Sequence, residues 1–171
     1  GEGRSSSISA NNDLVNLKAV LYKEARLLDD EQWDEWLECY DENAQFWMPS
    51  WDDDDTLVTD PQTEISLIYY PNRQGLEDRV FRIKTERSSA TMPDTRTNHN
   101  ISNVELEGQE GDIVTVRFNW HTLSFRYTTI YQYFGMSRYR IDVSGAQPKI
   151  VDKYVVLKND YINQVIDIYH I

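Results

Sequence analysis

Metal or nucleophile chemistry in this chain would have to come from His99, His121, His170 and Cys39, its only histidines and its only cysteine. Two imidazoles and a carboxylate can hold iron on one side and leave positions open for oxygen. No histidine here has a second one four residues on, so no single element presents a ready pair. Hydrogen-bonded structural histidines account better for this scatter, since buried polar groups need partners. A Rieske cluster requires two cysteines and two histidines, which one cysteine cannot supply. Asp52 to Asp55 looks like the start of a calcium loop. An EF-hand would place glycine and glutamate where the chain has Leu57 and Thr63, so a solvated acidic loop is the better reading. Neither a glycine-rich phosphate loop nor a nucleophile elbow occurs. What remains is an unusual supply of aromatics, with 11 Tyr, 5 Trp and 5 Phe. In a bent sheet they could line a substrate pocket, with His121 and an Asp as acid–base pair in a dehydratase or isomerase. They could equally fill a core or a subunit interface, where Tyr, Trp and Arg are enriched. The residue types leave these alternatives open.

The elements that must position these groups follow from hydrophobic periodicity. Val114, Val116, Phe118 and Trp120 alternate with Thr115, Arg117 and Asn119, the two-residue period of a half-buried strand. After Trp120 the apolar positions become Leu123 and Phe125, and this slip in phase suggests a β-bulge. Thr128 to Val143, with Tyr131, Tyr133, Phe134 and Tyr139, reads as a second strand that turns at Ser144-Gly145. Lys149 to Leu157 reads as a third, carrying Val151, Val155 and Leu157 with Lys153 among them. Asn100 to Glu107 is a fourth, joined through Gly108–Gly111. Short connections favour antiparallel pairing.

Upstream, Asn12 or Asp13 can cap a helix with the stripe Leu14, Leu17, Leu21, Ala25 and Leu28. Asp29 and Gln32 resemble a capping pair for a second helix bearing Trp33, Trp36, Leu37 and Tyr40 on one face. Ala44, Phe46 and Met48 alternate as a short strand ended by Pro49, and Glu64 to Tyr70 is another. Arg73 to Glu86 has helical composition, and Ser88 to Asn98 is polar loop. The segment from Tyr161 through Ile171 is too apolar to be loose, because termini fray unless something holds them. Helices first and antiparallel strands later make an α+β domain. A single domain is expected over 13–171, preceded by a mobile Ser/Gly/Asn-rich tail over 1–12.

The formal charge of −12 argues against nucleic acid or an anionic membrane as partner, since both recruit basic surfaces. No apolar run approaches the roughly 20 residues that span a bilayer. No signal-peptide pattern is evident, and one cysteine fits a reducing compartment, so a cytoplasmic location is expected. There the sequon at Asn100-Ile101-Ser102 carries no meaning.

Longer strings are more specific than spacings. The run from Arg26 to Leu37 (RLLDDEQWDEWL) resembles the second-helix entry of small (β) subunits of aromatic-ring-hydroxylating dioxygenases. Ile65 to Asn72 (ISLIYYPN), Leu76 to Arg82 (LEDRVFR) and Arg96 to Val104 (RTNHNISNV) continue the similarity. Phe118 to Leu123 (FNWHTL), Tyr133 to Tyr139 (YFGMSRY) and the ending from Leu157 to Ile171 resemble the benzoate, toluate and anthranilate branch in particular. The likeness covers nearly everything from Leu14 onward.

The resemblance implies a cystatin-like (NTF2-like) cone, a curved antiparallel sheet wrapped by helices. It also implies an α3β3 oxygenase in which this chain contacts a large subunit and its own copies, and is served indirectly by a reductase. The [2Fe-2S] Rieske cluster and mononuclear Fe(II) would belong to the large subunit, leaving this chain with no catalytic, cofactor-binding or metal residue. Subunit contacts are expected at Trp120, Tyr131, Tyr133, Arg138, Tyr139, Tyr161, Tyr169 and His170. One sheet face is expected to carry more aromatics than a single helical layer need cover, and large exposed apolar patches mark interaction sites.

Overall fold

The computed structural model describes residues 2–50, 66–89, 95–159 and 166–171, with 2–12 and 66 described by backbone alone. Within these, three helices and six strands follow in the order α1 (Glu2–Asp29), α2 (Trp33–Leu37), β1 (Tyr40–Pro49), β2 (Ser66–Tyr70), α3 (Arg73–Ser89), β3 (Arg96–Glu110), β4 (Ile113–Arg126), β5 (Thr129–Asp142) and β6 (Lys149–Leu157). A short 3-10 turn, Ile168–His170, closes the chain. The fold is α+β, with all strands in one curved sheet of order β2-β1-β6-β5-β4-β3. Every neighbouring pair is antiparallel except β1 and β6, which run parallel. A hydrophobic pattern does not show which non-consecutive strands meet, and this parallel pair was not expected from the sequence.

The helix-forming stripe behaves as its spacing dictates. Leu17, Leu21, Ala25 and Leu28 are buried, and α1 packs along β3. The helix begins at Glu2 rather than at Asn12 or Asp13, so neither of those residues is its cap. Leu76, Val80 and Ile83 turn α3 onto β1 and β2. Trp33 and Trp36 place α2 between the other two helices. The expected Asp29–Gln32 capping pair does not form. Gln32 occupies the N-cap without a side-chain bond to the helix it precedes, while Asp29 reaches across to β3.

Strand β4 corrects the expected bulge. Its burial alternates without a slip through Val114, Val116, Phe118, Trp120, Thr122 and Ser124, and its register with β5 is unbroken. The core face simply becomes polar after Trp120, and this imitates a change of phase in the sequence. The irregularities lie instead in β3, between Ser102 and Glu105 and between Leu106 and Gly108. There Asn103 adopts φ 56°, a left-handed conformation that Asn tolerates better than most residues. The β3–β4 hairpin is also tighter than expected. Gly108 pairs within β3, and the chain reverses at Gly111 with φ +59°.

Gly135 is required by close backbone approach. A Cβ there would lie 1.8 Å from the carbonyl oxygen of Val156 on β6. The last described residues are docked: Ile168 and Ile171 are buried, and Asp167 accepts a two-pronged ion pair from Arg79 of α3. Tyr161, Ile162, Val165 and the Asp52–Asp55 loop lie outside the described residues.

Candidate functional site

The helix-covered face of the sheet holds a buried acid–base cluster built around Glu24. Glu24 falls three residues after Leu21 on the buried stripe of α1 and is itself buried. Trp36 donates its indole N–H to Glu24 Oε2 at 2.8 Å, and the Tyr139 hydroxyl donates to Oε1 at 2.5 Å. Lys153 brings Nζ within 3.5 Å of Oε2, between the rings of Phe46 (4.7 Å) and Tyr139 (5.4 Å). Burial pushes the Lys153 ammonium down, and the Glu24 carboxylate opposes that shift. Burial and then the Glu24 charge drive the Tyr139 hydroxyl well above the ordinary phenol range. The cluster is a buried ionic knot that ties α1, α2, β5 and β6 together. Neither Glu24 nor Lys153 stood out in the sequence. Their only signals were a carboxylate on an apolar helical stripe and a lysine on the same strand face as Val155 and Leu157.

The three histidines are held apart. His99 Nδ1 lies 2.5 Å from Asp29 Oδ1, and Asp29 also accepts from the backbone N–H of His99 and the Thr97 hydroxyl. His121 sits on the opposite face of the sheet, its Nε2 3.0 Å from Gln132 Oε1. The carboxylate–imidazole pair of the chain is therefore Asp29–His99, and His121 is paired with an amide. His170 accepts the Asp167 backbone N–H on Nδ1 in a reciprocal capping box and packs its ring 4.8 Å from Tyr133. Burial lowers its pKa to about 4. Cys39 is a buried free thiol, raised to about 11 chiefly by burial. Among the described residues, no group of three or more His, Cys, Asp or Glu side chains could hold a metal ion, and no helix is long and apolar enough to cross a membrane.

The residues expected at subunit contacts divide into two sets. Trp120, Tyr133, Tyr139 and His170 are buried in the chain's own core, so the aromatic excess is largely covered from within. Tyr131 and Tyr169 are half-buried against that core. Arg138 lies on the other face, with Nε 2.5 Å from Glu107 Oε2. Tyr161 is outside the described residues. The large apolar side chains left exposed at the β4–β5 end are Phe125, Tyr127, Ile130 and Phe134. Register places Phe125, Ile130 and Phe134 together on the face away from the helices.

Comparison with known proteins bears on this arrangement directly. Residues 23–164 match the family model described as ring hydroxylating beta subunit. The chain is 78% identical over 162 residues to the benzoate 1,2-dioxygenase subunit beta of Acinetobacter baylyi, covering 93% of this chain and 96% of that protein. Among solved structures, it is similar to the beta subunit of benzoate 1,2-dioxygenase from Burkholderia mallei, with a TM-score of 0.81 and 69% identity over 92% of this chain and 96% of that one. It also resembles an NTF2-like protein with a cystatin-like fold from Novosphingobium aromaticivorans. That match has a TM-score of 0.62 and 11% identity over 91% and 88% of the two chains, a likeness of fold alone. With a family match over most of its length and this degree of identity, the chain belongs to the beta subunits of ring-hydroxylating dioxygenases, the small subunits of the oxygenase component.

Proposed function

We propose that this chain is the small subunit of a benzoate 1,2-dioxygenase and supports assembly of the oxygenase without supplying its reacting groups. The observation that carries this reading is the 78% identity to a benzoate 1,2-dioxygenase beta subunit. In the assembled enzyme, an aromatic carboxylate, O2 and two electrons with two protons, drawn from NADH through a reductase, give a cis-dihydrodiol. The [2Fe-2S] cluster and mononuclear iron that support this reaction belong to the large subunit on this reading. The side chains here suit neither group: each histidine is committed to a different local partner, and the one thiol is buried.

The assembly is an α3β3 hexamer in the cytoplasm, to which this chain contributes a single domain over 13–171 that follows a tail over 1–12. Tyr131, Arg138 and Tyr169 lie at subunit contacts, supported from within the core by Trp120, Tyr133, Tyr139 and His170. Exposed Phe125, Ile130 and Phe134 add apolar area suited to being covered by another subunit.

Co-expression with the large subunit tests the reading. A hexamer should form, turn over benzoate, and hold iron in proportion to the large subunit. His99→Ala and His121→Ala should leave iron per large subunit near wild type wherever the hexamer forms. An intact hexamer that loses mononuclear iron in either variant would place a ligand in this chain and overturn the proposal.

A further inference from the structure

Three polar atoms in one small region of the core lack hydrogen-bond partners: Nε2 of His99, Nε1 of Trp120 and Oγ1 of Thr122. The His99 side chain is 6% exposed, Trp120 5% and Thr122 0%. Strand register brings them together. His99 on β3 stands directly opposite Thr122 on β4, and Trp120 is the next residue of β4 on the same face. Opposed side chains on one sheet face are close neighbours, and diagonal ones lie within reach of an aromatic ring.

The chemistry of the three atoms is complementary. A carboxylate only accepts hydrogen bonds, so the contact with Asp29 Oδ1 places a proton on Nδ1 of His99, and in the neutral form of the ring Nε2 is then an acceptor. The indole of Trp120 can only donate, and the Thr122 hydroxyl can do either. A molecule serving all three must give a proton to Nε2 and accept one from Nε1. A carbonyl or carboxylate cannot give, and an ammonium cannot accept; an O–H group does both. Buried polar atoms in native proteins are seldom left unpaired.

We infer that His99, Trp120 and Thr122 form a buried site for one hydroxylic molecule of the size of water or a short alcohol, held against the Asp29–His99 pair. The bound oxygen accepts from Trp120 Nε1 and donates to His99 Nε2, while Thr122 takes its remaining bond. A continuous chain then runs from the end of α1 through Asp29 and His99 to β4. The site is independent of the oxygenase reading, because it depends only on this chain's own core.

A crystal structure of the full chain at high resolution, with and without a methanol soak, tests it first. The expected result is one oxygen within about 2.7–3.2 Å of all three atoms. Density for oxygen alone identifies water and density extended by one carbon identifies the alcohol; either supports the site. No density there, or direct bonding among the three side chains, overturns it. Nitrogen-15 NMR of the unmodified chain gives a second reading that needs no variant to fold. His99 should carry its proton on Nδ1 with Nε2 accepting, and a proton on Nε2 of the neutral ring refutes the inference. Finally, Trp120→Phe and Thr122→Val should each lower the urea midpoint, and the double variant should lose less than the sum. Strict additivity would mean that no shared molecule links them.

Discussion

Lys153 on the last strand meets Glu24 on the first helix with both side chains buried, Nζ lying 3.5 Å from Oε2. A buried pair adds little net stability over a well-packed apolar pair, but removing one partner strands the other charge. Lys153→Met should therefore destabilise the fold by about 3–5 kcal/mol. Adding Glu24→Gln to that variant should recover a large part of the loss, because the amide oxygen can still accept from the Trp36 indole while its NH2 donates to the Tyr139 hydroxyl oxygen. Urea unfolding of the two single variants and the double variant measures the coupling.

His170 sets a pH dependence whose sign is fixed by its lowered pKa. Its ordinary value is 6.5 and its folded value about 4, so between these the unfolded chain binds a proton that the folded chain refuses. Stability from this residue is complete above pH 6.5, declines as pH falls, and levels off below about pH 4. The full span is worth about 3 kcal/mol. His170→Gln should flatten that part of the profile of unfolding free energy against pH.

The turn between β4 and β5 is built from Tyr127 and Thr128, with φ 53° and 61°. Two-residue hairpins of this kind favour Asn and Gly, and a β-branched residue in the left-handed region is strained. Thr128→Gly should raise stability by about 1 kcal/mol, relief of that strain being partly offset by the greater freedom of glycine when unfolded. Thermal unfolding of the single variant, showing a higher midpoint, is the check.

Removing residues 166–171 should lower the melting temperature sharply. Ile168 and Ile171 are buried and each contributes about 1.5–3 kcal/mol. The truncation also takes away the Asp167 partner of Arg79 and the ring that covers Tyr133. A truncated chain that melts at the wild-type temperature would show that this segment is not docked in solution.

Much of the fold was legible because period and burial coincide. The apolar sets of α1, α3 and β1, and of β4 as far as Trp120, point inward as their spacing demands. Positions where the core is polar were misread. Thr122 and Ser124 hide the continued phase of β4, and Asp29 looks like a local cap because its partners, Thr97 and His99, are remote in sequence. The buried pair was opaque for the same reason, since nothing local links Glu24 to Lys153. The aromatic residues were legible as apolar but not as inward or outward, because that depends on the α2 and C-terminal layers which cover them.

The parallel pairing of β1 with β6 also governs how the nascent chain can fold. While the ribosome is still making the later strands, β1 can pair with β2 but presents its other edge unpaired, and β5 does the same once it emerges. Only β6 closes both edges, joining Tyr40 to Ile150 on one side and Tyr139 to Lys153 on the other. Such long-range pairing is slow, and open strand edges invite aggregation in the meantime. Completion of the sheet therefore waits for β6 itself, and chaperone demand during synthesis should fall steeply once β6 is free of the exit tunnel.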